Sequence, residues 1–186
     1  GPLGMVDTDF HVPDAKIDRL ATLYAGVDIT DPTKPGLVRA DAAPYPGAYR
    51  RRPAFESGGG GLVTTLGDMA RLVHSLLPGG PPLLKPATIA MMATNALPDG
   101  RWIEFPNLPP MVGRAFGLGS SVAVRPGPLD PKAVTGEVAW GGLAGTVWWC
   151  NPRLGIAGVL MTQRYFGQGG LHTIAFKQEA YRALGH

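Results

Sequence analysis

The chain has few of the residues that cross-link or anchor small proteins. Its 186 residues include one cysteine, Cys150, so an intrachain disulfide is excluded. Cys150 ends the apolar run Val147-Trp148-Trp149-Cys150, which predicts a buried structural thiol rather than a nucleophile. No apolar run reaches the roughly 18 residues that a transmembrane helix needs, and we therefore expect no membrane span.

Charged residues and metal ligands are also sparse. Charged residues make up 17% of the chain, and the net charge is +3. The basic residues are dispersed except at Arg50-Arg51-Arg52, a cluster typical of a solvated loop rather than a nucleic-acid surface. The four histidines lack metal-ligand spacing, and a single cysteine completes no zinc set. We expect no metal, no cofactor and no nucleic-acid partner.

Glycine and proline, by contrast, are abundant. The chain has 27 glycines and 19 prolines beside 45% hydrophobic residues, a composition that suits a globular enzyme with long surface loops. Residues 26–56 show no periodicity and are predicted to form one ordered loop. Tyr45, Tyr49 and Trp102 lie on loops where they could line a substrate pocket or pack back onto the core, and both alternatives stay open.

Four helices are predicted. Pro13 opens a short helix to Leu20, because proline suits a first helical turn. Thr65-Leu66-Gly67-Asp68 resembles a helix cap, and apolar residues then recur on one face as far as Leu77. Residues 86–92 and His172–Leu184 form the other two. The apolar residues of the last helix are available for packing, namely Ile174, Ala175, Ala180, Tyr181 and Leu184.

The strands are predicted mainly in the second half of the chain. They cover Leu23–Tyr24, Phe116–Val124, Glu137–Trp140, Thr146–Cys150 and Ile156–Thr162. Consecutive strands followed by a helix favour an α+β fold, an antiparallel β-sheet flanked by helices. We expect one unit over 1–186, with a loop-rich helical part at 26–115 and the sheet strands and C-terminal helix at 116–186.

Three segments carry a family resemblance. Residues 136–146 contain Trp140-Gly141-Gly142, residues 57–68 contain a run of four glycines, and residues 3–10 follow the pattern Leu-Gly-Met-x-Asp-Thr-x-Phe. In this order they resemble the serine β-lactamase-like esterases, relatives of class C β-lactamases and penicillin-binding proteins, in which Trp-Gly-Gly takes the place of Lys-Thr-Gly. Residues 116–119 and 158–163 are further anchors of the resemblance.

The resemblance implies a serine acyl-transfer enzyme of which this chain holds the C-terminal portion. The family's nucleophile motif, Ser-x-x-Lys, puts an amine beside the hydroxyl that it helps to deprotonate, and Ser57, Ser75, Ser120 and Ser121 all lack a lysine three positions on. We therefore expect a complementary N-terminal fragment that carries Ser-x-x-Lys and the catalytic tyrosine. The other expected partner is a small-molecule ester.

The resemblance also assigns site residues. The backbone N–H of Leu143 would complete an oxyanion hole, and Trp140, Gly141 and Gly142 would bind substrate from a strand edge. Trp140 places an aromatic surface where the family has a cation, which favours neutral esters. On structure alone, the Gly-Gly pair would also suit a bulge or turn.

The glycine run at residues 57–61 has two interpretations. A phosphate cradle would need a following Lys-Ser or Lys-Thr, which is absent. Tight backbone packing beside the active-site strand is favoured instead, and the resemblance puts Gly59 and Gly60 near the substrate pocket.

The predicted function is that of a carboxylesterase. The alternatives are a β-lactamase or D-peptidase, which the missing Lys-Thr-Gly disfavours, an acyltransferase of the same fold, or an inactive fragment that only binds. As one piece of a split enzyme, the chain alone is expected to expose apolar surface and to associate.

Overall fold

The computed structural model describes residues 1–31, 34–40, 47–106 and 108–186. Within these ranges the chain forms seven strands and three α-helices, with short 3-10 helices at Asp14–Arg19 and Gly167–Gly169. In chain order the elements are β1 (Tyr24–Gly26), β2 (Leu37–Arg39), α1 (Leu66–His74), α2 (Pro86–Met92), β3 (Arg114–Phe116), β4 (Ser121–Ala123), β5 (Val138–Gly141), β6 (Thr146–Asn151), β7 (Ile156–Met161) and α3 (Leu171–Ala183).

Five strands form one antiparallel sheet in the order β3-β4-β5-β6-β7. Its longest pairing joins β6 to β7, from Thr146 opposite Met161 to Asn151 opposite Ile156. Many of the residues in these two strands are β-branched or aromatic. Gly155 completes the turn between them with a φ of +68°. The predicted hairpin is confirmed.

Helices cover both faces of the sheet. Because side chains alternate along a strand, Val122, Val138 and Cys150 share one face and pack against α1 and α2. On the opposite face Trp149 packs against Tyr181 of α3, with their ring centroids 5.1 Å apart. The predicted α+β class is confirmed.

The small β1–β2 sheet is attached to the end of the large one. The Tyr24 N–H donates to the Gln163 carbonyl at 2.9 Å, and the Tyr165 N–H donates to the Tyr24 carbonyl at 2.7 Å. The prediction of an unbroken loop over 26–56 is wrong at β2, which pairs with β1. All three residues of β2 are exposed, so no alternation of apolar and polar residues marks this strand.

The prediction of one strand over Phe116–Val124 is also wrong. β3 ends at Phe116 and β4 begins at Ser121, and between them the Gly117 N–H donates to the Ser120 carbonyl at 2.9 Å. Gly119 has a φ of +83°, which glycine adopts without steric cost. The glycines therefore reverse the chain instead of interrupting a strand.

The helices agree with prediction apart from their ends. The first is a 3-10 helix over Asp14–Arg19 rather than an α-helix reaching Leu20. In α1 the Thr65 side chain caps the N-terminus, and the last turn tightens to i→i−3 hydrogen bonds before Leu77. Of the residues available for packing on the last helix, Tyr181 and Ala180 join the core beside Trp149, whereas Leu184 is 53% exposed. No helix in the described ranges is long and apolar enough to cross a membrane.

A buried ionic cluster joins the sheet to α3. The carboxylate of Glu137 is fully buried and accepts hydrogen bonds from Arg114 at 2.8 Å, Lys177 at 2.7 Å and Tyr181 at 2.9 Å. Asp130 pairs with Arg114 as well. Burial lowers the pKa of Lys177, although Glu137 opposes this effect, and burial together with Glu137 raises the pKa of Tyr181. Because each charge has a partner, the cluster avoids the cost of an unpaired buried ion.

Candidate active site

The connection from β5 to β6 is a tight turn. The Gly142 N–H donates to the Thr146 carbonyl at 2.8 Å, and the Gly145 N–H donates to the Gly142 carbonyl at 2.9 Å. The central residues, Leu143 and Ala144, have negative φ, whereas Gly145 has a φ of +88°. This is the three-residue hairpin loop in which a type I turn is followed by a left-handed glycine. The sequence left a bulge or a turn open at the Gly-Gly pair, and the structure has a turn that begins at Gly142, whereas Gly141 ends β5.

The turn leaves the backbone N–H of Leu143 without a partner. Along a strand end, successive N–H groups point to opposite sides, and the Gly142 N–H is directed at β6. The N–H of Leu143 donates to no acceptor in the part of the chain that is described, and its side chain is 51% exposed. That N–H is available to a ligand.

The segment after β7 fixes this turn. The Phe166 N–H donates to the Leu143 carbonyl at 2.7 Å, and the Thr162 hydroxyl donates to the Gly145 carbonyl at 2.6 Å. A Cβ on Gly145 would lie 2.7 Å from the Arg164 carbonyl oxygen, so only glycine fits there. Phe166 has a φ of +59°, a left-handed conformation that is costly outside glycine and that concentrates at functional sites. We call this set of contacts the turn clamp.

Trp140 lies on the part of β5 that extends beyond its pairing with β4. β4 pairs with β5 only at Val138 and Ala139, so the side of Trp140 and Gly141 away from β6 has no partner strand in the described ranges. The indole meets Phe116 edge to face at 5.2 Å and Phe105 at 6.4 Å. Trp140 is therefore part of an aromatic cluster at an open strand edge.

The glycine run at 57–61 forms a turn, in which the Gly61 N–H donates to the Ser57 carbonyl at 2.8 Å. A Cβ on Gly60 would meet nothing within 4 Å, and one on Gly59 would meet only the Ser57 hydroxyl at 3.9 Å. Both residues are exposed. The prediction of tight packing is wrong for these two glycines. At Gly61 a Cβ would lie 2.9 Å from the Ser57 carbonyl oxygen, which is a close approach within the turn itself and not beside the strand of Trp140.

Every predicted site residue lines one cavity, which has a volume of about 1890 Å³. Its lining includes Gly59, Gly60, Trp140, Gly141, Gly142 and Leu143. Tyr49 also lines it, whereas Tyr45 lies outside the described residues. The structure thus places the two glycine-rich motifs on one surface, although they are far apart in sequence.

The segments 3–10 and 57–68, which both carry the family resemblance, contact each other. Asp9 and Val63 exchange backbone hydrogen bonds of 3.2 and 2.9 Å. The buried carboxylate of Asp68 accepts from the Asp7 N–H at 2.8 Å and the Thr8 hydroxyl at 2.9 Å. The segment 3–10 is thereby held against the first turn of α1, the helix that follows the glycine run in the chain.

Sequence reasoning missed Phe105 and Phe166, which shape this site from other loops, and it named Thr162 only as part of the anchor 158–163, without a role. Thr162 and Phe166 act mainly through backbone and hydroxyl geometry, for which no pattern in the sequence gives a signal. Cys150, in contrast, is buried as predicted, and burial raises the pKa of its thiol to about 12. Among the described residues, no three His, Cys, Asp or Glu side chains are grouped to hold a metal.

These observations agree with comparison to known proteins. The chain belongs to the beta-lactamase family, whose family model matches residues 1–181. This confirms the resemblance found in the sequence. The family contains serine enzymes that hydrolyse or transfer acyl groups, among them esterases and acyltransferases.

Three similar proteins illustrate how closely the chain resembles members of known sequence or structure. Protein Rv1367c of Mycobacterium tuberculosis is 35% identical over 82% of this chain and 38% of its own length. Esterase EstB of Burkholderia gladioli is 27% identical over 97% of this chain and 46% of its own length. The structure of EstCE1, described as a hydrolase with promiscuous acyltransferase activity, superposes with a TM-score of 0.72 at 27% identity, over 97% of this chain and 48% of that one. The chain thus spans less than half the length of these relatives.

Proposed function

We propose that this chain is the C-terminal portion of a serine carboxylesterase that acts on small neutral esters through an acyl-serine intermediate. The Leu143 N–H carries the proposal, because it is fixed by the turn clamp, lines the cavity and has no acceptor among the described residues. A preorganised donor of this kind is what an oxyanion hole requires.

Trp140 supports neutral substrates. Its indole contacts the rings of Phe105 and Phe116, so this position offers apolar surface and no positive charge to a substrate carboxylate. A penicillin-like or D-peptide substrate carries such a carboxylate, whereas a simple ester does not. The surroundings of Trp140 therefore favour esters.

The serine would come from a complementary N-terminal portion that carries Ser-x-x-Lys and the catalytic tyrosine. Three observations support such a partner. β7 ends the sheet with no strand on its outer side in the described ranges. The Trp149 indole N–H is buried, lines the cavity and has no acceptor there. The cavity itself exceeds the 300 to 1,000 Å³ typical of ligand pockets, so it has room for a docked polypeptide as well as a substrate.

In the complete enzyme the serine oxygen would attack the ester carbonyl carbon. Its proton would pass to the lysine–tyrosine pair and then to the departing alcohol, while the Leu143 N–H donates to the carbonyl oxygen as that oxygen becomes negative. Water would then attack the acyl-serine, release the acid and restore the serine proton.

The test is intact-mass analysis under denaturing conditions, before and after a fluorophosphonate serine probe. We expect the 19.6 kDa chain to stay unlabelled and a second polypeptide to gain one label. The labelled material should hydrolyse p-nitrophenyl butyrate and leave a chromogenic cephalosporin intact. An unlabelled preparation that contains only this chain would support the inactive binding fragment instead.

The acyltransferase alternative is supported by the promiscuous acyltransferase activity in the description of EstCE1. The same acyl-serine would then be attacked by an alcohol rather than by water. Adding a primary alcohol to the p-nitrophenyl butyrate assay separates the two functions. A new ester as the main product would identify a transferase, and butyrate as the main product would identify a hydrolase.

A further inference from the structure

A second cavity, of about 520 Å³, lies on the other side of Trp140. Its volume falls within the range of small-molecule sites. It is lined mainly by apolar side chains, which are Leu97, Trp102, Ile103, Phe105, Phe116 and Trp140. Trp140 and Phe105 line both cavities, so this second cavity, which we call the aromatic pocket, adjoins the candidate active site.

The outer wall of the aromatic pocket is fixed to the sheet. The Ile103 N–H donates to the Arg114 carbonyl at 2.9 Å, and the Ala96 N–H donates to the Phe116 carbonyl at 2.8 Å. Ile103 is only 7% exposed and anchors the loop against β3. A ligand that enters the pocket therefore meets a surface that is already formed, which favours binding.

The chemistry of the lining selects an uncharged aromatic group. Rings pack against other rings at centroid distances of 4.5 to 7 Å, and four of the lining side chains carry rings, namely Trp102, Phe105, Phe116 and Trp140. A cationic ligand is disfavoured because the Arg125 guanidinium lies 5.2 Å from the Trp102 ring centroid. Arg101 and Glu104 are exposed and carry opposite charges, so they offset one another.

We infer that the aromatic pocket binds the aryl group of an ester substrate, an inference that rests on the proposed function. Leu143 follows Trp140 by three residues, and because the chain turns at Gly142, their Cα atoms lie at most about 10 Å apart. A span of that order corresponds to several bonds between the aryl group and the carbonyl that Leu143 would bind. Phenylalkanoyl esters with a chain of about six carbons have this length, and acetate esters do not reach the pocket.

The test measures binding to the 186-residue chain, which needs no serine. Methyl 6-phenylhexanoate and methyl 6-cyclohexylhexanoate have the same length and differ in the ring. We expect the phenyl ester to bind up to about tenfold more tightly, a gain of the size expected for aromatic pairing. It should shift the indole N–H signals of Trp102 and Trp140 in 15N spectra and leave that of Trp149 in place.

Two variants check the assignment. Phe105→Leu keeps an apolar side chain but removes the ring, and it should abolish the preference for the phenyl ester. Phe55, 80% exposed and outside both cavities, gives the control Phe55→Leu, which should keep that preference. Equal binding of the two esters to the native chain, or a preference that survives Phe105→Leu, would overturn the inference. A preparation without esterase activity would leave this binding result standing, so the two proposals fail separately.

Discussion

At the scale of single residues, the backbone N–H of Leu143 can be removed by a substitution that keeps the conformation of the turn. Leu143 occupies the second position of a type I turn, where proline is favoured because its φ is already suitable. Proline also lacks the N–H. In the complete enzyme, Leu143→Pro should therefore lower kcat by about 100- to 1,000-fold with little effect on KM. Ester hydrolysis at saturating substrate measures this change.

Leu143→Ala is the matched control, since it shortens the side chain and keeps the N–H. Its kcat should stay close to that of the native enzyme. If both variants lost activity equally, the side chain rather than the backbone N–H would be the functional group.

The turn clamp gives a prediction for stability. Thr162→Val keeps the shape of the side chain but removes the hydroxyl that donates to the Gly145 carbonyl. We expect the free energy of unfolding to fall by about 1 kcal/mol, measured by urea denaturation. Thr162→Ser retains the donor and should lose less, so an equal loss in both variants would rule out the hydrogen bond as the cause.

Cys150 gives a prediction for reactivity with pH. Burial raises the pKa of the thiol from 9.0 to about 12, with a smaller contribution from Glu137, because both disfavour the thiolate that reacts. At pH 8, iodoacetamide should modify the folded chain at least about 1,000-fold more slowly than the chain in urea. Rapid labelling of the folded chain would contradict the buried position.

The raised pKa of Cys150 also affects stability. The contribution of this thiol to the free energy of unfolding is complete below pH 9 and declines as the pH rises towards 12.

At the scale of elements, the carboxylate of Asp68 holds the segment 3–10 against α1. Asp68→Ala removes two hydrogen bonds to a buried charge and should cost about 2 to 3 kcal/mol of stability. Hydrogen exchange at the amides of Asp7 and Asp9, which donate to Asp68 and to the Val63 carbonyl, should accelerate more than exchange in β6. Asp18→Ala, at an exposed position of the 3-10 helix, should leave both quantities unchanged.

The elements also show what sequence can predict. The β6–β7 hairpin follows from β-branched residues around a turn, and α1 follows from a cap and one apolar face, because both signals are local. β2 lacks such a signal, since all of it is exposed and it exists only through pairing with β1. The turn at Gly117–Ser120 was hidden by apolar neighbours on both sides.

The candidate site divides in the same way. Residues 140–143 are contiguous, so the family motif identifies them together, and the structure places them on one cavity with Gly59 and Gly60. Phe166 contributes through a left-handed backbone, which depends on contacts with a distant turn. Such a residue is found only from coordinates.

At the scale of the whole molecule, the open cavity and the edge of β7, which has no partner strand in the described part of the chain, predict self-association. The purified chain alone should elute as dimers or larger species, because unpaired strands and apolar surface find partners in other copies. Size-exclusion chromatography with light scattering measures this directly. Co-expression with the complementary N-terminal portion should give one complex of defined mass, whereas a monodisperse, cooperatively folding monomer of the chain alone would contradict the split-enzyme proposal.

The unpaired edge of β5 at Trp140 and Gly141 is short, and its length limits which molecules can pair with it. An active site that receives its substrate at a strand edge leaves part of that strand unpaired, and unpaired strand is a template for aggregation. Because β4 stops pairing after Ala139 and the chain turns at Gly142, only about two peptide units are left open. So short an edge admits the oxygen of a substrate and is too short for another β-strand to add to it.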